Sequence, residues 1–112
     1  MLRIKGKTIY LTRGDTAMFT ITIYYPGSSN QEYVVQDGDV VYFTVRSEAK
    51  KNDASDFLLQ KRMVDGAITI EPEDTAGLDY GEYLYDVEIT TASGVVNTII
   101  TASPFVIEEE VT

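Results

Sequence analysis

Apolar and polar residues alternate with a period of two along almost the whole chain, the signature of half-buried β-strands. Ile9 and Leu11 open a short strand, and Arg13-Gly14-Asp15 follows as a turn. Over 17–25, Ala17, Phe19, Ile21, Ile23 and Tyr25 fall on one face and Met18, Thr20, Thr22 and Tyr24 on the other. Residues 26–30 read as a loop, 32–35 as a short strand and Asp37-Gly38-Asp39 as a turn. Residues 40–46 alternate again, with Val41, Phe43 and Val45 inward. The polar stretch 47–56 fits either a loop or one helical turn. Strands are predicted over 57–62 and 67–71, joined through Asp65-Gly66, a dipeptide of hairpin type. Residues 71–78 break the alternation and are expected to form a single helical turn, with Pro72 forbidding continued strand pairing. The clearest strand is 82–91, with Tyr83, Tyr85, Val87 and Ile89 inward. Ala92-Ser93-Gly94 connects it to a strand over 95–102. Pro104 is expected to interrupt before a last strand over 105–111.

Seven to nine short strands at this spacing, with no amphipathic crossover helix, predict an all-β fold. The specific expectation is an antiparallel immunoglobulin-like β-sandwich forming one domain over 1–112. The corner around Pro72-Glu73-Asp74-Thr75-Ala76 fits that form: Asp74 is placed to accept backbone N–H groups, and a tyrosine bonds back across the corner. Tyr83 is the first candidate for that tyrosine and Tyr80 the second. The expected core is Phe19, Ile21, Ile23, Val41, Phe43, Val45, Ile68, Ile70, Tyr85, Val87 and Ile89.

Composition narrows the chemistry. The 112 residues include 9 Lys and Arg against 18 Asp and Glu, a formal charge of -9. That balance disfavours contact with nucleic-acid phosphates or anionic lipid. No Cys and no His occur, which removes disulfides, thiolate or imidazole metal sites, Cys nucleophiles and the Ser-His-Asp triad. The opening residues 1–7 lack an apolar stretch of the secretory type, and no run is long enough to span a bilayer, so synthesis in a cytosol is expected. Arg13-Gly14-Asp15 matches an integrin-binding tripeptide. A turn in which Gly supplies an unusual φ and Asp bonds the backbone accounts for it better. Asp37-Gly38-Asp39 and the acidic run 74–79 offer oxygen ligands, but no calcium loop closed by a Glu is present. No catalytic residue, cofactor site or metal site is assigned, and the chain is expected not to be an enzyme.

Eight tyrosines in a chain without Trp point instead to contact surfaces. Tyr24, Tyr25 and Tyr33 flank the Pro26 loop and form the candidate interface. Charge runs at the two ends, Arg3, Lys5 and Lys7 against Glu108, Glu109 and Glu110, predict that the terminal strands lie side by side. The free edge then falls around 32–35, beside the tyrosines, where a partner is expected by strand addition or aromatic contact.

The strings Leu11-x-Arg13-Gly14-Asp15-Thr16-Ala17, Gly38-Asp39-Val40-Val41-x-Phe43-Thr44-Val45, Ile70-x-Pro72-Glu73-Asp74-Thr75-x-Gly77-Leu78, Tyr80-Gly81-x-Tyr83-x-Tyr85-Asp86-Val87 and Phe105-x-Ile107-x-x-Glu110-Val111-Thr112 carry a resemblance across nearly the full chain. The pattern resembles small β-sandwich proteins of tailed phages and prophages, in particular the N-terminal domain of phage upper baseplate proteins. The chain ends soon after the domain, without a coiled coil or receptor-binding module. The resemblance therefore implies a stand-alone structural component of a tail or baseplate. Such a protein would be made in the bacterial host cytoplasm, built into the virion, and would bind other phage structural proteins or further copies of itself, with no nucleic acid and no membrane as partners. Two other expectations are a surface- or carbohydrate-binding adhesion module using the tyrosine loops, and an acidic inhibitor mimicking nucleic acid.

Overall fold

The computed structural model describes residues 2–25, 31–48 and 56–109. Its elements are β1 (Leu2–Lys5), β2 (Thr8–Thr12), β3 (Ala17–Thr20), β4 (Ile23–Tyr24), β5 (Glu32–Tyr33), β6 (Val40–Arg46), β7 (Leu59–Arg62), β8 (Ala67–Ile70), α1 (Pro72–Ala76), β9 (Gly81–Thr90) and β10 (Val96–Glu108). The architecture is all-β. A six-stranded, curled sheet runs in the order β1-β2-β10-β9-β6-β7, and two ribbons, β3-β8 and β4-β5, complete the fold.

Alternation sets the inner face. On β6, Val41, Phe43 and Val45 stand opposite Ile89, Val87 and Tyr85 of β9, and all six are buried. On β2, Ile9 and Leu11 stand opposite Phe105 and Ile107 of β10, again all buried. The β3-β8 ribbon contributes Ala17, Ile68 and Ile70. Phe43 is the junction: its ring centroid lies 5.3 Å from Phe19, 5.2 Å from Tyr85 and 5.9 Å from Phe105.

Between β7 and β8, Asp65 and Gly66 both take positive φ, 52° and 80°, as a two-residue hairpin turn requires. Val64 and Ala67 close it with a reciprocal pair of backbone bonds of 2.9 and 3.0 Å. The strands then part: β7 pairs with β6 and β8 with β3, so this turn carries the chain from the sheet to the ribbon. Pro72 begins α1, and Asp74 accepts the Glu71 N–H at 2.7 Å. Lys61 reaches the same carboxylate at 2.8 Å and ties β7 to the helix.

Four expectations are corrected. The predicted strand over 17–25 divides at Ile21–Thr22, because β3 and β4 pair with different partners. Pro104 does not interrupt the last strand. It lies within β10, opposite Leu84 and just before β2 joins the other flank at Phe105, where a residue without N–H fits. The terminal strands are not neighbours, since β2 lies between β1 and β10 and pairs with β10 in parallel. A turn at Gly6–Lys7, with Gly6 at φ 60°, folds β1 back and sets Leu2 and Ile4 opposite Leu11 and Ile9. Finally, ten strands form among the described residues where seven to nine were expected, since β1 precedes the strand expected at Ile9–Leu11 and 17–25 splits, while the two strands expected over 95–111 merge. The predicted loop 26–30, most of 47–56 and the end of the last strand lie outside the described residues.

Candidate functional site

The candidate tyrosines come together on one wall of a groove of about 660 Å³. β4 and β5 pair antiparallel, Ile23 opposite Tyr33 and Tyr24 opposite Glu32. The Tyr25 N–H donates to the Gln31 carbonyl at 3.0 Å and extends that ribbon. Tyr24 and Tyr25 are exposed at 47% and 44%. Tyr33 is half-buried and packs against the core. The Tyr25 and Tyr33 rings meet edge to face, with centroids 5.6 Å apart and planes at 78°.

Tyr33 is fixed from beneath by Asp39. Its hydroxyl donates to Asp39 Oδ2 at 2.5 Å, and the Gln36 N–H donates to the same oxygen at 2.9 Å. The Ala92 N–H donates to Oδ1 at 3.1 Å. The carboxylate thus staples the end of β5 to the β9–β10 connection. Gly38 makes the approach possible: its φ is 89°, and a Cβ there would lie 2.8 Å from the Ala92 Cβ. The Tyr33 hydrogen bond, together with the backbone donors, holds the Asp39 carboxyl below its ordinary range against the opposing effect of burial. The same bond raises the Tyr33 hydroxyl above its ordinary value.

The 97–100 stretch of β10 also lines the groove, together with buried Ile89 and with Lys7. Buried Tyr85 donates to the Lys7 carbonyl and anchors that residue, and burial raises its hydroxyl pKa. Lys7 carries the one formal charge among the described lining residues. The groove therefore offers aliphatic and aromatic surface, tyrosine hydroxyls and strand backbone. Sequence reasoning assigned the tyrosine wall and missed the β10 wall. The available signal was local: adjacent Ile99 and Ile100 break the alternation, and the pairing with β9 shifts register there.

Other candidates resolve into structural roles. Arg13 of the Arg-Gly-Asp turn donates to the Leu78 carbonyl at 3.3 Å and the Tyr80 hydroxyl at 2.9 Å, and its guanidinium sits 4.2 Å from the Tyr80 ring centroid. The Gly14 N–H donates to the buried Thr75 Oγ1 at 2.8 Å. The tripeptide is thereby locked to the α1 corner. Tyr83 donates to the Asp79 carbonyl at 2.7 Å, which is the bond expected of the corner tyrosine. In the Asp37-Gly38-Asp39 turn, both Asp39 oxygens accept protein donors. Among the described residues no group of three or more carboxylates is arranged to hold a metal ion. The outer face of β9 carries exposed Glu82 and Glu88, but Arg46 pairs with Asp86 at 2.5 Å and Arg62 borders Tyr42, so this face is mixed in sign. No described helix is long and apolar enough to cross a membrane.

Comparison of the chain with protein families, with curated proteins and with solved structures finds no match.

Proposed function

We propose that this protein is a non-catalytic structural component of a phage or prophage tail or baseplate, acting through protein–protein contacts within a larger assembly. The observation that carries the reading is the exposed Tyr24–Tyr25 wall, braced by Tyr33 and its bond to Asp39. Rigid tyrosines contribute large contact area at low entropic cost and recur at interface hot spots. The biological setting, the virion after synthesis in the host cytoplasm, rests on the resemblance of the sequence strings to phage baseplate sandwiches.

The finer fold reading, an immunoglobulin-like sandwich, draws support from the corner. There a one-turn helix starting at Pro72 precedes β9, and Tyr83 bonds back to Asp79. The separate β3-β8 ribbon, whose Ala17, Ile68 and Ile70 join the core, also supports the reading.

The test is the Tyr24→Ser/Tyr25→Ser double variant, which leaves the Tyr33 bond to Asp39 in place. Recovery in phage particles and sedimentation velocity of the purified chain read assembly, and the thermal midpoint reads folding. The expected result is loss of assembly with a midpoint within about 3 °C of the wild type, as for surface changes under ~0.5 kcal/mol. Undiminished assembly removes the tyrosines from the interface. Failure of the wild-type chain to enter particles or complexes overturns the function.

A further inference from the structure

Along one side the fold stops short of closure. β10 is paired with β9 from Val96 to Ile107, with register shifts between Thr98 and Ile100 and between Ile100 and Ser103, but β2 covers its other flank only from Phe105 to Glu108. No described strand pairs with that flank upstream of Phe105. Among the described residues, Ile21 and Thr22 belong to no strand, β3 pairs only with β8, and β4 only with β5. The two unpaired stretches line the same opening. Thr22 and Ile23 meet 97–100 in the large groove, and a cleft of about 190 Å³ sharing Lys7, Thr22 and Ile100 continues it past Ile4 and Ile21. The core is unfinished here: Phe19, Ile21, Ile99 and Ile100 pack against it yet stay partly exposed.

The chain's own N-terminal segment cannot fill this gap by running straight on from β2. In the parallel register Ile9 and Leu11 face inward with Phe105 and Ile107. A straight continuation would bring Lys7, Lys5 and Arg3 to the inner face and Leu2 and Ile4 to the outer one, because strand parity is fixed at two. The turn at Gly6–Lys7 reverses the chain instead.

We propose that this slot receives one extended strand of a partner protein, pairing along the open flank of β10 between 97 and 103. The proposal rests on the assembly reading and specifies its mode. The slot selects apolar residues at alternate positions, to complete the layer of Ile23, Ile89 and Ile100. It selects Lys or Arg between them, at the positions that face outward: the chain carries -9, exposed Glu88 stands opposite Thr98 on the outer face, and exposed Glu32 stands opposite Tyr24 in the β4-β5 ribbon. A second copy brings the same -9 and meets net repulsion, so a cationic partner strand is the occupant.

The experiment is amide hydrogen exchange on the full chain, read residue by residue by NMR. The probes are a ten-residue acetylated peptide alternating Ile with Lys, the same peptide N-methylated at alternate residues, and an Ile/Glu counterpart. The Ile/Lys peptide is expected to slow exchange of the 97–103 amides not bonded to β9 by at least about tenfold, while the methylated and Ile/Glu peptides do not. Equal protection by the methylated peptide, binding that leaves these amides unprotected, or no binding in peptide excess overturns the slot. Protection that rises with protein concentration in the absence of peptide also overturns it, in favour of a second copy. Native assemblies in which these amides still exchange freely refute the slot and leave the assembly reading standing. Protection by the peptide in a chain that enters no phage particle does the reverse.

Discussion

Phe43 is where truncation tests the packing most severely. It is fully buried and touches a ring from each of three other strands: Phe19 on β3, Tyr85 on β9 and Phe105 on β10. Transfer of a phenyl side chain out of water contributes about 1.5–3 kcal/mol. Each well-oriented ring pair adds about 0.5–1.5 kcal/mol. Phe43→Ala removes both and leaves a cavity that a sheet paired on both flanks of β6 cannot collapse, so the cost is about 3–5 kcal/mol. Against a domain stability of about 5–15 kcal/mol that is a large share. Phe43→Leu keeps most of the volume and costs about 1.5 kcal/mol or less. Tyr42→Ala, one residue away on the outer face and 38% exposed, costs about 1 kcal/mol at most. Urea unfolding followed by far-UV circular dichroism reads all three, with tyrosine fluorescence as a second probe. The thermal midpoint of Phe43→Ala falls by about 12–20 °C at roughly 4 °C per kcal/mol. If Phe43→Ala costs no more than Tyr42→Ala, β6 is one residue out of register and the inner face has been assigned to the wrong side.

The Asp39 staple has a pH signature. Its folded carboxyl lies below the ordinary 3.8, so its stabilisation is present above that value and lost as pH falls through the folded pKa. The difference in urea midpoint between wild type and Asp39→Asn narrows from about pH 5 to pH 2, whereas a gap constant across that range removes the carboxylate from the account. At the α1 corner, Thr75→Val keeps the shape and strands the Gly14 N–H, at a cost of about 1–3 kcal/mol. Thr75→Ser keeps the acceptor and recovers most of that loss in the same denaturation assay, and equal losses in both variants would mean that the methyl group matters and the bond does not.

Local chemistry was readable wherever one residue's neighbours along the chain decide its state. β6 and β9 form within a residue of the expected bounds, because a half-buried strand writes its two faces directly into alternate positions. The Asp65-Gly66 turn and the helix opened by Pro72 follow from backbone preferences of those residues. What alternation does not carry is the identity of the strand on either flank. Residues 17–25 keep their alternation across Ile21–Thr22, although the backbone changes partner there, since period two reports a face and not a neighbour. The swap of β1 for β2 beside β10 has the same origin. Charge runs at the two ends favoured adjacency by about 0.2–1 kcal/mol per cross-strand pair. Burying Ile9 and Leu11 against Phe105 and Ile107 is worth more than that per residue.

The two expected core residues that stay half-exposed make the same point about function. Nine of the eleven are buried, while Phe19 and Ile21 are not. Both line the cleft beside the open flank of β10. Their alternation is that of core residues, and their exposure arises because no described strand covers them. A hydrophobic pattern suited to a closed layer, on residues that no described strand covers, is what the proposed docking slot accounts for. Tyr33 divides in a similar way: its hydroxyl serves the fold through Asp39, and its ring presents Tyr25 to the opening. The proposed interface and the scaffold meet in that residue. Replacing Tyr33 therefore perturbs both, and only the exposed pair Tyr24 and Tyr25 can separate assembly from folding.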